Sequence, residues 1–92
     1  MSSCIYIIRQ GSSRLFKLGV SKCPEQRLKT LQTGNPAKLK LLFTVPCTDA
    51  FKVEAIVHDH LKDHRVLGEW FHIASDDKVV EVAQAIQMTS KK

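Results

Sequence analysis

Two short apolar runs, residues 4–8 and 15–20, stand on either side of Gln10-Gly11-Ser12-Ser13. No other feature constrains the chain as much. Both runs are β-prone and the segment between them is rich in turn residues, so the opening reads as a β-hairpin. Side chains alternate between the two faces of a strand, which sorts these residues into two sets. Ile5, Ile7, Phe16, Leu18 and Val20 share a wholly apolar face that has to be buried. Tyr6 and Lys17 share the other face with Cys4 and Gly19. If the loop is residues 10–13, Arg9 pairs with Arg14 and Tyr6 lies directly opposite Lys17. A slip of two residues keeps them on one face but unopposed, whereas a slip of one would bury Lys17 and expose the core set. An ammonium beside a phenol favours the phenolate and makes the tyrosine a better proton acceptor. The plainer alternative is a tyrosine packed over a lysine stem on an exposed sheet face.

Downstream, Ser21 offers an N-cap, Pro24 sits in a first helical turn and Gly34 offers a stop. These predict a helix over 24–33 with Leu28 and Leu31 facing inward. Residues 38–45 (KLKLLFTV) read as a third strand ending at Pro46. Thr48 or Asp49 can cap a longer helix over 50–63, with Val53, Val57 and Leu61 as its apolar stripe and Ile56 at the edge. Glu54 and His58 sit beside that stripe, one turn apart. Gly68-Glu69-Trp70-Phe71 carries a turn and a short extended piece through Ile73. Ser75-Asp76-Asp77 then caps a last helix with Val79, Val82, Ala83 and Ile86 on its apolar face, and Ser90-Lys91-Lys92 reads as a frayed end. The expected fold is α+β: a small mixed or antiparallel three-stranded sheet, the hairpin plus a third strand, flanked by helices.

At 92 residues and 10.4 kDa the chain reads as a single domain, 1–92, with one core. No apolar run approaches the ~20 residues of a bilayer span, and Met1 to Tyr6 lacks the features of a signal peptide, so no membrane is expected. Cys4, Cys23 and Cys47 are odd in number and form no C-x-x-C, which fits a reduced, cytoplasmic protein. Lys plus Arg 14 against Asp plus Glu 9 gives +5 and a pI near 9.3, which suits a polyanion, nucleic acid first. Lys22, Lys29, Lys38 and Lys40 lie around the first helix and third strand as a phosphate-tracking surface, the alternative being ordinary solvated lysines. His60 and His64 have the i, i+4 spacing of zinc ligands, but neither His58, His72 nor any cysteine completes a motif, so packed or helix-terminal histidines are expected. Glu69 reads equally as a second acidic site residue or as a structural one beside Trp70 and Phe71, which close the core.

Cys4-Ile5-Tyr6, followed by Lys17-Leu18-Gly19 on the next strand, resembles the paired motifs of the GIY-YIG nuclease superfamily. Arg27 in Pro24-Glu25-Gln26-Arg27-Leu28 stands where that family has its arginine. Gln32-Thr33-Gly34-Asn35-Pro36, Val53-Glu54-Ala55 with His58, and Gly68-Glu69-Trp70-Phe71 are similar to motifs of its small phage-type branch. The likeness runs in order over residues 4–73. It implies a divalent-metal-dependent endonuclease that hydrolyses phosphodiester bonds in DNA, with RNA left open. Tyr6 would be the general base that activates water, and Lys17 occupies the position of the family's second tyrosine. By the same likeness Gly19 would let the backbone bend beside the site, Arg27 would contact the scissile phosphate, and Glu54 would be the sole protein ligand of Mg²⁺ or Mn²⁺, with His58 beside it. Cys4 replaces the family's first glycine, and its late asparagine has no counterpart after Phe71.

Phosphodiester hydrolysis needs a deprotonated nucleophile, neutralisation of charge on the phosphate and help for the leaving alkoxide, and this set contains a group for each. A hard cation that keeps most of its waters is held by one carboxylate plus the phosphate. With almost no chain left for a recognition domain, specificity would come from a homodimer, a partner protein or nucleic-acid shape. The competing reading is a non-catalytic nucleic-acid-binding module of the same fold, and a protein-binding adaptor is a third. Tyr6, Lys17, Arg27 and Glu54 together favour the enzyme.

Overall fold

The computed structural model describes residues 3–90, so Lys91 and Lys92 of the expected frayed end lie outside the described residues. The hairpin forms from β1 (Ser3–Gln10) and β2 (Leu15–Ser21), in a register two residues from the expected one. Arg9 faces Phe16, Ile8 faces Lys17, Tyr6 faces Gly19 and Cys4 faces Ser21. The loop is residues 11–14 because Gly11 adopts a left-handed φ of 55° and the turn is bonded from within. The Ser13 N–H and hydroxyl both donate to the Gln10 carbonyl, while the Arg9 guanidinium donates to the carbonyls of Ser12 and Ser13. Face parity survives the shift. Ile5, Ile7, Phe16 and Leu18 enter the main core and Val20 packs against it.

β3 (Leu39–Cys47) pairs with the other side of β1 and runs one residue past Pro46. Proline is tolerated there because β3 is an edge strand. Between Ile7, opposite Phe43, and Ile8, opposite Leu41, the register shifts by a residue. This bulge reverses the parity of β3. Leu39 and Leu41 join Tyr6 and Ile8 on one face, while Phe43, Val45 and Cys47 join Ile5 and Ile7 on the other. Each face of the sheet therefore has its own apolar cluster.

α1 (Pro24–Thr33) covers the Tyr6 face, with Leu28 and Leu31 against Tyr6, Ile8 and Leu39. Ser21 does not cap it. Its hydroxyl accepts from the Cys23 N–H, and Cys23 is the N-cap, without a side-chain bond, before Pro24 opens the helix. At the other end Gln32 Nε2 donates to the carbonyls of Asn35 (3.2 Å) and Ala37 (2.9 Å), and Oε1 accepts from the Leu39 N–H (2.8 Å). Asn35 Oδ1 accepts from the Ala37 N–H at 2.9 Å. The Gln32-to-Pro36 motif is thus a clamp that ties the end of α1 to the start of β3. Gln32→Ala strips three partly buried bonds and should lower stability by about 2–3 kcal/mol. The denaturant midpoint reads this, and an unchanged midpoint would deny the clamp any structural part.

α2 (Ala50–His60) and α3 (Asp76–Ser90) cover the opposite face, burying Val53, Val57, Val79, Val82, Ala83 and Ile86 with Phe71 and Ile73. α2 ends earlier than expected because Leu61, only 2 % exposed, turns into the core as its C-cap. A 3-10 turn, Lys62–His64, follows, so His60 and His64 share no helix face, and both are exposed.

The fold is α+β, with five strands rather than three. β5 (Trp70–His72) pairs with β2, and β4 (Arg65–Leu67) pairs with β5, giving the order β3-β1-β2-β5-β4 with every pair antiparallel. At three residues each, β4 and β5 are too short to display an alternation. They form because the outer edge of β2 needs backbone partners. Among the described residues no helix is long and apolar enough to cross a membrane.

Candidate functional site

β5 accompanies β2 only as far as Lys17, which faces Trp70. The next N–H, of Leu18, donates to the Glu69 carbonyl at 3.1 Å. Glu69 is delivered there by the two-residue turn between Leu67 and Trp70, whose first member, Gly68, takes φ 57°. The Leu18 carbonyl accepts from His58 Nε2 of α2 at 2.9 Å. A carbonyl can only accept, so that nitrogen carries the proton. The His58 ring also meets the Phe71 ring edge-on, centroids 5.0 Å apart. Glu54, one turn earlier, brings Oε2 to 4.0 Å from His58 Nε2, too far for a hydrogen bond. α2 lies on the sheet face opposite to Tyr6, and the Glu54 carboxyl comes within reach of the charge and hydrogen bonding of Glu69.

Gly19 is where the two sides meet. A Cβ at this position would fall on the Tyr6 hydroxyl, 2.6 Å from Tyr6 Cζ and 2.9 Å from Glu69 Oε1. Only glycine lets the phenol and the carboxylate close over this strand. Lys17 Nζ lies 3.3 Å from the same Glu69 oxygen and 5.4 Å from the centroid of the Trp70 ring.

Tyr6 is 1 % exposed. Burial pushes its hydroxyl above the usual 10.0, and the Glu69 and Glu54 charges push the same way, while Arg27 pulls it down by hydrogen bonding and charge. The cation acting on the phenol is therefore Arg27, not Lys17. The two-residue register shift puts Lys17 opposite Ile8 and its ammonium on Glu69. Nor is this face exposed, because α1 covers it. Burial, followed by the charge and hydrogen bonding of Glu69, raises the Glu54 carboxyl above 4.5, against the pull of His58 and Lys17. Glu54 Oε2 is buried with no hydrogen-bond partner. A carboxylate oxygen in that condition is costly unless a cation or donor meets it.

Tyr6 and Glu69 thus meet at Gly19, with Lys17 on Glu69 and exposed Arg27 of α1 on Tyr6, while Glu54 and His58 reach Glu69 and Leu18 from α2 on the other face of the sheet. Glu69, ambiguous in the sequence, stands at the centre, and the glycine before it was the one local sign of the turn that aims it. All four lysines expected to track phosphate are exposed. Lys22 and Lys29 are exposed at and beside α1, whereas Lys40 faces Arg9 and the Lys38 carbonyl accepts from Gly11, at the opposite end of β1 from Cys4. The bulge and the hairpin loop put them there. Among the described residues no group of three or more His, Cys, Asp or Glu is placed to hold a metal ion.

No curated protein and no solved structure matches the chain. The T5orf172 domain does match, over residues 3–89, a span that includes both faces of the sheet and every member of this cluster. The chain belongs to the T5orf172 domain family.

Proposed function

We propose that the chain is a divalent-metal-dependent endonuclease of the GIY-YIG type that hydrolyses phosphodiester bonds in DNA. The observation that carries this reading is the meeting of Tyr6, Lys17, Arg27 and Glu54 around Gly19, with a buried Glu54 oxygen that lacks a donor. Membership of the T5orf172 family and a net charge of +5 support it.

Each residue has a task that its surroundings allow. Arg27 can grip two phosphate oxygens through parallel N–H bonds while still touching the Tyr6 hydroxyl. Tyr6 takes the proton from the attacking water. Lys17, pinned by Glu69, adds positive charge beside the phosphate without being free to swing away. His58 is a positioning residue, because its bond to the Leu18 carbonyl fixes α2 and hence Glu54 against β2. Glu54 would hold Mg²⁺ or Mn²⁺, and its unpaired oxygen fits a hard cation that keeps most of its own waters. That ion, when bound, supplies charge neutralisation at the phosphate and the leaving oxygen.

The upward shift of Tyr6 has a kinetic consequence. The phenol is protonated at neutral pH, so the basic form is a minority that grows with pH. Single-turnover cleavage should rise about tenfold per pH unit between roughly pH 6 and 9. Tyr6→Phe should remove both the rate and the slope, and a flat wild-type profile would take Tyr6 out of the base role.

The function itself is tested on supercoiled plasmid, single-stranded DNA and RNA, each with Mg²⁺, Mn²⁺ or EDTA. Metal-dependent cutting is the expected result. Binding without cutting on all three would establish the second reading, a non-catalytic nucleic-acid-binding module. Its supporting observation is that Tyr6 is almost wholly buried, and that burial pushes its hydroxyl above the ordinary value.

A further inference from the structure

We infer that Leu67, at the tip of the β4–β5 hairpin, bears against an unpaired nucleobase close to the phosphate held in the site. The preferred substrate is then DNA with an unstacked base beside the cleaved bond. The inference rests on the nuclease reading above and adds the class of substrate.

Val66 is 59 % and Leu67 75 % exposed. The other exposed large apolar residues, Leu42, Phe51, Ile56, Val80 and Met88, are isolated in sequence and spread over β3, α2 and α3. Val66 and Leu67 are consecutive, and they stand next to the turn that carries Glu69. That turn is tied to the site by the Leu18-to-Glu69 backbone bond and the Lys17–Glu69 ion pair. The tip is thus held against the catalytic cluster rather than hanging from a loose loop.

Its direction follows from the register. Leu67 faces Trp70, and Trp70 faces Lys17. Cross-strand partners project from the same side of a sheet, so Leu67, Trp70 and Lys17 form a row on the Tyr6 face. Two strand spacings separate Leu67 from Lys17, about 10 Å. Stacked bases rise about 3.4 Å each along one strand, so the tip reaches a base within about three nucleotides of the phosphate. Arg27 on exposed α1 supplies the cationic side of the row, whereas Arg65 faces Phe71 and so belongs to the other face of the sheet. Apolar side chains bordered by cations suit flat rings carried on an anionic backbone. In an intact duplex every base face is already stacked, and opening a step costs least where a base is already unpaired.

The chain has one tryptophan, and it faces Leu67, so its fluorescence reports on the tip. The full chain is titrated in EDTA with a duplex, the same duplex carrying a one-base bulge, and that bulge made abasic. The bulged duplex should bind about tenfold more tightly than the intact one and change Trp70 emission, and the abasic bulge should lose both effects. Leu67→Ser, a change at an exposed position, should bring the preference close to one. Equal wild-type affinities for bulged and intact duplex, or a preference that persists in Leu67→Ser, would overturn the inference. So would a preference unchanged while light scattering shows Leu67→Ser dissociating a dimer, which would assign the tip to a second copy of the chain. A wild type that discriminates in this assay yet never cuts with Mg²⁺ or Mn²⁺ would overturn the nuclease reading and leave the tip assignment standing. A chain that binds none of the three overturns both.

Discussion

Glu54→Gln is expected to abolish metal-dependent cleavage, by about 10³-fold or more, while nucleic-acid affinity stays the same or rises. The substitution keeps the volume of the side chain and removes the charge that would hold the cation. Equal cutting by the two proteins would assign the activity to a contaminant and favour the binding module. The same substitution should also stabilise the free protein. Burial and Glu69 hold the Glu54 carboxyl above 4.5, and its Oε2 has no donor, so its ionised form opposes folding. The sign follows from proton linkage. Between the unfolded and the raised folded value the native state binds more protons, so stability falls as pH rises through that window and stays lower above it. The melting temperature of Glu54→Gln should therefore exceed that of wild type at neutral pH in EDTA. The gap should close at a pH below the ordinary carboxylate range, and Mg²⁺ should narrow it at neutral pH by stabilising wild type alone. A gap that does not depend on pH would remove this account of Glu54.

Gly19→Ala should damage both stability and chemistry. The new methyl would occupy the place of the Tyr6 hydroxyl and approach Glu69 Oε1 to 2.9 Å. Tyr6 has little room to retreat, since it is 1 % exposed and lies under Leu28 and Leu31. Overpacking of this kind costs about 1–3 kcal/mol. With Tyr6 as the proposed base, displacing its phenol should reduce single-turnover cleavage by about 10²–10³-fold. Adding Tyr6→Phe removes the hydroxyl from the clash and should restore part of the stability and none of the activity. Gly34→Ala is the matched control. Its Cβ would meet nothing within 4 Å and its φ of −101° is open to any residue, so it should melt at or slightly above the wild-type temperature. If Gly19→Ala behaves like Gly34→Ala, the close approach at Gly19 has no part in the site.

The members of the candidate cluster were legible in residue types and spacing. Tyr6, Lys17, Gly19, Arg27, Glu54 and His58 all stand out before any fold is known, and the structure brings them to β2 from both faces of the sheet. Their pairing was not legible. Which cation touches Tyr6 depends on a few ångströms of register, and Glu69 becomes central only once Gly68 turns it against Leu18.

The same division runs through the fold. Alternation alone assigned Ile5, Ile7, Phe16 and Leu18 to the core, because a one-residue slip would reverse every side chain. Alternation has no power over a slip of two, which preserves both faces, and that choice fell to Gly11 and the bonds inside its turn. The span of α1 follows from Pro24 and a local apolar spacing, whereas α2 stops where Leu61 finds the core. The bulge opposite Ile7 and Ile8 divides β3 between two faces, and strands of three residues are added at the edge of β2. Period, caps and turn residues act within a few positions and are written in the chain. Register, bulges and edge pairing are contacts between distant segments, and they take their form only when those segments meet.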